Sequence, residues 1–476
     1  MVRNKHDQLF QHWARVDCIN RAVALLVVAL LLAQCEYSFA QAFTVPTVIV
    51  PASDLQVGGP VYDYDVGITE VTNTQFAAFL NDAEFHNEGQ HPGFGNERGN
   101  NLKWRPPPIE PGDVGLVVGD SSDVDAVYDM SRGSLLYNSI AAVGTRYTPI
   151  GGKEDHPAIG MSWIGAVKFC NWLTIDQGFG LDHRCYAEGS AETDWFPITT
   201  GIEIDGTQES NNLARDLNAS ERAAWVRQYR GYRLLMDEGG TSVGASNAVP
   251  RRFNEWYKAA AFDPAAPDTD RTFFVGFPFE AHSVPADHWL HAFGRDPLTN
   301  LDANFRDSGD PFDNPDPAVY ATTPACYYDG TDHDGAFQTA VNNNRYGICD
   351  MSGNVWEFLS DQVTISASIA PDRSIAGGSY RSNNRQVTCA NRGDVGPGST
   401  RPVIGLRVMR VTSDPCSGDG DSDLDGDVDL SDYAELASCL LGPAGGATTS
   451  CACFDNDSDG DVDLNDFSKL MDRLSN

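Results

Sequence analysis

The sequence predicts an α+β domain with little regular secondary structure, followed by a small helical module built on two acidic loops. Three observations lead there. The chain has 476 residues, more than a single hydrophobic core usually supports. From about Val45 to Arg410 it is rich in Gly, Asn, Asp and aromatic residues, with a few short helical signals among irregular segments. Its last segment carries one acidic twelve-residue pattern twice.

Residues 1–40 read as an export signal. Arg3, Lys5, Arg15 and Arg21 precede the apolar run AVALLVVALLLA, and SFA before Gln41 offers small residues for cleavage. That run covers 12 residues, short for a bilayer, which favours cleavage over a retained anchor. A lipid anchor on Cys35 is disfavoured because Gln34 stands where a small residue is expected. No later stretch reads as a membrane span. The expectation is a secreted or extracytoplasmic protein, periplasmic or at the cell surface. Cleavage after Ala40 leaves nine cysteines: 170, 185, 326, 349, 389, 416, 439, 451 and 453. Disulfides are expected in that compartment, the odd count leaves a thiol over, and the connectivity stays open.

The net charge of −34 excludes a nucleic-acid partner, because phosphates demand a basic surface. Residues 414–476 hold 16 Asp and Glu against Lys469 and Arg473, spaced rather than run together, which suits cation ligands. In DSDLDGDVDLSD (421–432), Asp421, Asp423 and Asp425 fall at loop positions 1, 3 and 5, with Gly426 at the sharp turn. Asp427 offers its carbonyl at position 7, Val428 packs at 8, and Asp429 and Asp432 fall at 9 and 12. Asp455, Asp457, Asp459, Gly460, Asp461, Val462, Asp463 and Asp466 repeat the pattern 34 residues later. A hard cation with about six to eight oxygen ligands needs this arrangement. YAELASCLL and FSKLMDRL read as the exiting helices, and Cys439 with Cys451 or Cys453 would staple the insert between the repeats.

In the body, TNTQFAAFLN opens with a capping box from Thr72 to Gln75, and SWIGAVKFCNWL has Ser162 as N-cap. NEWYKAAAF is a third short helix. Cys170 falls on the apolar face of the second helix and reads as core. Asn218 heads a glycosylation sequon. His288 and His291 in HWLH are the nearest histidine pair, and they form no evident 2-His-1-carboxylate set. There is no G-x-S-x-G motif and no phosphate loop.

Seven blocks occur in order: YDYDVGITEVTNTQFAAFLN (62–81), HPAIGMSWIGAVKFCNWL (156–173), NEWYKAAAFDP (254–264), DANF (302–305), YGICDMSGNVWEF (346–358), AGGSYRS (376–382) and GLRVMR (405–410). The series resembles the sulfatase-modifying factor family, the formylglycine-generating enzymes and their relatives. The resemblance implies a compact C-type-lectin-like α+β fold over residues 41–410, with 411–418 a linker and 419–476 the tail. The tail resembles a dockerin more than a full EF-hand, since Asp occupies position 12 and no clear helix precedes each loop. Dockerins bind cohesin modules and attach secreted proteins to larger, often polysaccharide-associated, assemblies. Here Leu430–Ser431 and Leu464–Asn465 replace the usual Ser-Thr recognition pair.

The resemblance also implies two calcium sites in the body. One uses the Asn304 side chain, the Phe305 carbonyl, the Asp334 side chain and a carbonyl near Ala336. The other uses Asp350 and Glu357 side chains with the carbonyls of Gly353 and Val355. A polar loop capping a buried Trp356 is the alternative for the second.

The family's oxidases bind copper through two cysteines after GGSY, and soft copper(I) needs both sulfurs. Here Ser382 holds the first position, NNRQV carries no cysteine, and Cys389 aligns with a structural position beyond the pair. Copper is therefore not expected. The iron-dependent branch carries a helical module ahead of the domain, for which residues 41–60 are too short. Three readings remain. The first is a calcium-stabilised, non-oxidising family member that binds a ligand or protein in its groove and is tethered through its tail to a cohesin-like or other partner. The second is an enzyme of altered chemistry using Trp356, Ser379, Ser382, Cys389 and Arg392. The third is an extracellular or envelope scaffold protein.

Overall fold

Polar turn-forming residues break this chain so often that its strands stay short and its sheets small. The computed structural model describes residues 44–54, 56, 58–86, 101–104, 116–119, 126–188, 195–198, 217–238, 250–267, 272–275, 280–313, 321–333, 335, 337–363, 372–412, 421–422, 424, 428–440, 454–455 and 462–474. The export-signal expectation lies outside them. Among the described residues no helix is long and apolar enough to cross a membrane.

Two four-stranded sheets carry the architecture. In the first, β1 (Thr47–Val50), β2 (Tyr64–Gly67), β8 (Val408–Val411) and β3 (Arg233–Leu234) run antiparallel in that spatial order. Met409 pairs with Val66 on one side and with Arg233 on the other. In the second the order is β6 (Arg392–Val395), β5 (Asp372–Ala376), β4 (Trp356–Val363) and β7 (Ile404–Gly405). β7 pairs parallel to β4, Trp356 opposite Ile404. Only Leu406 and Arg407 separate β7 from β8, so this dipeptide carries the chain from one sheet to the other. Two-stranded hairpins pair 135–137 with 147–149 and 332–333 with 337–338.

The three helices expected in the body are present with their caps. In α1 (Asn73–His86) the Thr72 amide donates to Gln75 Oε1 at 2.9 Å and the Gln75 amide donates to Thr72 Oγ1 at 3.3 Å, a reciprocal cap. Ser162 Oγ accepts the Gly165 amide at the start of α2 (Trp163–Asp176), and Asn254 Oδ1 accepts the Tyr257 amide at the start of α4 (Glu255–Ala261). The apolar faces of α1 and α2 meet through Phe76 and Phe79 on Phe169, with ring centroids 5.7 and 5.6 Å apart. All three rings are fully buried, each contributing about 1.5–3 kcal/mol. Cys170 is buried on that same face, as its spacing predicts.

A fourth helix, α3 (Ala219–Gln228), is not anticipated above. Asn218 accepts from the Glu221 amide while Glu221 reaches back to the Asn218 amide, so the sequon asparagine is also an N-cap. The helices α5 (Leu430–Cys439) and α6 (Leu464–Leu474) follow the two acidic loops as expected. Leu436, Cys439, Phe454, Val462 and Leu470 form their shared core, against which Val428 and Phe467 pack. Arg227 on α3 donates to the Ser422 carbonyl, joining the first loop to the body.

Candidate functional site

The turn Asp350–Val355, just ahead of β4, is where most of the chemistry gathers. Asp350 and Asn354 adopt φ of +61° and +55°, unusual for residues with a Cβ. Gly353 sits at φ +96°, and a Cβ there would come within 2.4 Å of the Asn304 carbonyl oxygen. The chain can pass Asn304 so closely only because this residue is glycine. The Asn354 amide then donates to that carbonyl at 2.8 Å.

Both carboxylate oxygens of buried Asp350 are engaged. Oδ2 accepts the Cys326 amide at 2.6 Å, and Oδ1 accepts Asn342 Nδ2 at 2.7 Å. A disulfide between Cys326 and Cys349 clamps the two segments beside this contact. Burial pushes the Asp350 carboxyl above its ordinary range, against the opposing pull of its two hydrogen bonds. Glu357 is held differently. Its Oε1 receives Arg407 Nε at 2.8 Å and Nη2 at 2.7 Å, and its Oε2 receives the Trp256 indole N–H at 2.7 Å.

Three buried side chains beside this turn keep oxygen acceptors with no hydrogen-bond partner: Asn304 Oδ1, Asn342 Oδ1, and Thr323 Oγ1, whose own amide bonds Asn354. Glu70 adds both of its carboxylate oxygens. Buried acceptors of this kind are normally satisfied, so their concentration here fits a cation site built from mixed oxygens. Asn304 and Asp350, which the sequence reading assigns to two different calcium sites, both lie at this turn. Phe305 is buried next to Asn304, while Asp334 and Ala336 lie outside the described residues. Gly353 and Val355 contribute backbone to the turn. Among the described residues no group of three or more His, Cys, Asp or Glu is placed to hold a metal ion.

The loop 377–392 packs directly on this turn. The Gly353 amide donates to the Gly377 carbonyl at 2.9 Å, and the Tyr380 amide donates to the Asn354 carbonyl at 2.9 Å. Gly378 adopts φ +78°, and a Cβ there would meet the Gln386 carbonyl oxygen at 2.7 Å. Ser379 and Ser382 turn towards each other: the Ser379 amide donates to Ser382 Oγ at 3.0 Å, and the hydroxyl oxygens stand 3.4 Å apart. Both serines are buried, as is Trp356 at the start of β4. Cys389 is a free, buried cysteine whose amide donates to the Leu290 carbonyl, and its thiol is pushed well above its ordinary value by burial. Arg392 pairs with Asp237 at 2.8 Å and lies 4.7 Å over the Trp256 ring. Through Trp256 this loop reaches Glu357 in β4.

The order of these blocks, the GG turn seated on the Asp350–Glu357 turn, and the capped helices α1, α2 and α4 describe one recognisable arrangement. A family model, that of the sulfatase-modifying factor enzyme 1-like domain (FGE-sulfatase), matches residues 50–412. The chain belongs to this family. Solved structures of similar fold include CarF, at 17% identity over 78% of this chain and 100% of that one, TM-score 0.42. The Treponema denticola variable protein 1 matches at 16% identity over 78% and 98%, TM-score 0.36. PvdO from Pseudomonas aeruginosa matches at 16% identity over 77% and 91%, TM-score 0.31. No curated protein matches the chain.

His288 and His291 go to structural contacts. His288 meets Gln56 Nε2 at 2.5 Å and stacks on Tyr257, and His291 pairs with Asp296 at 2.7 Å. In the tail, Asp432 Oδ2 accepts the Asp429 amide at 2.7 Å, and Asp466 Oδ2 accepts the Asp463 amide at 2.8 Å, the same closure in both repeats. Asp421 is buried at the start of the first loop and Asp455 is described at the start of the second. Asp423, Asp425, Asp427, Asp457, Asp459 and Asp461 lie outside the described residues. Cys439 is disulfide-bonded, to a partner outside them. Glu70, Asn342, Arg407 and Asp237 carry no role in the sequence reading, although Glu70 and Arg407 lie within its EVTN and GLRVMR blocks.

Proposed function

We propose that this protein is an exported, calcium-stabilised member of the sulfatase-modifying factor family that lacks the copper-dependent oxidase reaction. It acts as a ligand- or protein-binding module tethered through its C-terminal loops. The observation that carries this reading is the state of the loop after GGSY. Ser382 stands where the first copper-binding thiol belongs, with its hydroxyl turned to Ser379. Cys389, the one cysteine of residues 372–412, is buried with its thiol held protonated. A copper(I) site needs paired, accessible sulfurs, and one inert thiol does not supply them.

In the body, calcium would be held at two sites, one by the Asn304 and Asp334 side chains with the Phe305 carbonyl and a carbonyl near Ala336, the other by Asp350 and Glu357 with the Gly353 and Val355 carbonyls. In the tail it would be held by the Asp residues of the two loops. Its role there is to offset buried negative charge and fix the turns. Leu430 and Leu464 occupy the same place in the two repeats and are 76% and 74% exposed, which supports a protein partner for the tail. The test incubates purified mature protein with copper(I), oxygen and a cysteine-containing sulfatase peptide, and measures metal content with and without chelator. Calcium retention, no tight copper and no aldehyde product are expected. Stoichiometric copper with aldehyde formation would overturn the reading.

A further inference from the structure

We propose that α3 is the docking surface for the first tail loop, and that this contact makes tail and body one cooperative unit, so that calcium bound in the tail stabilises the body. This goes a step past the tether described above and rests on its tail-calcium reading. Two residues make the join. Arg227, buried near the end of α3, donates through Nη1 to the Ser422 carbonyl, and Ser422 is fully buried at position 2 of the loop. The Ser422 amide donates to Asp432 Oδ1 at 2.5 Å, and its hydroxyl donates to the same oxygen at 3.0 Å. Positions 2 and 12 therefore meet, and Asp421 at position 1 is buried, the closure that a cation site of this pattern needs. Ser422 serves both sides: its N–H and hydroxyl close the loop, and its carbonyl holds the body.

On its other side α3 is fixed to the core. Arg222 pairs with Asp361 of β4 at 2.6 Å, both buried, and the Trp225 indole donates to the Cys185 carbonyl at 3.1 Å. Asp361 also takes the Asp237 amide at 2.7 Å, and Asp237 pairs with Arg392 of the 377–392 loop at 2.8 Å. Without a cation the acids of the tail loop repel one another and weaken its closure. An opened loop withdraws an acceptor from a buried guanidinium, where water replaces it poorly. Charge alone argues the other way, because a guanidinium is drawn most strongly to an acidic loop that no cation fills. The backbone contact decides the sign: its acceptor is a main-chain carbonyl, positioned by closure and not taken over by the cation.

Residues 413–476 contain no tryptophan, so tryptophan fluorescence of the full chain reports melting of the body alone. Asp421→Asn with Asp455→Asn, position 1 of each loop, silences the tail and leaves any calcium response that belongs to the body. At calcium about a hundredfold above its dissociation constant, the parent's rise in body melting temperature should exceed that of the silenced chain by about 3 °C or more. Arg227→Met should bring the rise down to the silenced level while calcium content stays at the parent's. If the parent binds more calcium than the silenced chain yet its rise is equal or smaller, this inference alone falls. An undiminished rise in Arg227→Met overturns it as well. If parent and silenced chain bind the same amount of calcium, the tail-calcium reading itself falls and takes the inference with it. Should Arg227→Met not fold, hydrogen exchange of the α3 backbone is compared in the parent and the silenced chain. Protection that calcium increases only in the parent is expected, and equal protection in both overturns the inference.

Discussion

Arg407 holds Glu357 through two nitrogens, Nε at 2.8 Å and Nη2 at 2.7 Å, both on Oε1. Glu357 belongs to β4 of one sheet, and Arg407 lies in the dipeptide that leads into β8 of the other. The pair therefore ties the sheets together where the chain crosses between them. The same guanidinium caps the Gly67 carbonyl at the end of β2 and the Cys349 carbonyl beside the disulfide. Three segments distant in sequence, at 67, 349–357 and 407, meet on one side chain.

Arg407→Met should therefore cost about 3–5 kcal/mol, because it strands a buried carboxylate and two carbonyls. Lysine cannot reproduce the forked geometry and should recover only part of the loss. Urea denaturation of the variants measures this. A loss under about 1 kcal/mol for Arg407→Met would sink the account.

The Cys326–Cys349 disulfide, 23 residues apart in sequence, closes a loop whose end presents the Cys326 amide to Asp350. Closing a loop of that length restricts the unfolded chain by about 3 kcal/mol. The double variant Cys326→Ser with Cys349→Ser should lose stability of that order. A chain reduced with dithiothreitol, which also opens the Cys439 disulfide, should melt at that temperature or below it. Unchanged melting in both would contradict the assignment.

The helices of the body and tail were legible because their signals are local. Thr72 with Gln75, Ser162 and Asn254 each announce a cap within one turn, and the spacing of Phe76, Phe79 and Phe169 reports a buried face. The α3 cap carries the same local sign, Asn218 with Glu221, but reads equally as a sequon. What was not legible depends on groups far apart in the chain. Glu70 and Arg407 are separated by most of the domain, and no periodicity links them. Asp350 was accessible through the pattern of its block, whereas the fate of Glu357 was not, since Trp256 and Arg407 reach it only after folding. The pairing of Cys326 with Cys349 among the nine cysteines after residue 40 is a long-range choice of the same kind.

Cys389 offers a test of thiol chemistry. Burial raises its pKa well above the ordinary value, the Asp296 charge adds to this, and Arg392 only partly opposes it. Raising the pH from about 7 to 9 ionises an ordinary exposed thiol but should leave Cys389 protonated in the native state. Iodoacetamide should label it only after denaturation, read by peptide mass spectrometry. Fast native labelling that accelerates over this pH range would show a reactive centre and remove the main support for the non-oxidising reading.

His156 sets an acid limit on the body. It is buried, and its Nδ1 meets Thr322 Oγ1 at 3.1 Å and Lys153 Nζ at 3.2 Å. Burial, then the neighbouring Lys153 ammonium, lowers its pKa from 6.5 to about 3. Between those values the unfolded chain binds a proton that the native state does not, so stability rises with pH across this window and is lost on acidification. One such group contributes a slope of up to about 1.4 kcal/mol per pH unit. Carboxylates add their own dependence in the acid part of the range, so the clean reading lies between about pH 5 and 6.5. There His156→Gln, which cannot titrate, should flatten the plot of unfolding free energy against pH. A variant as steep as the parent would mean that His156 is protonated in the folded state and that its contacts with Thr322 and Lys153 are not those described.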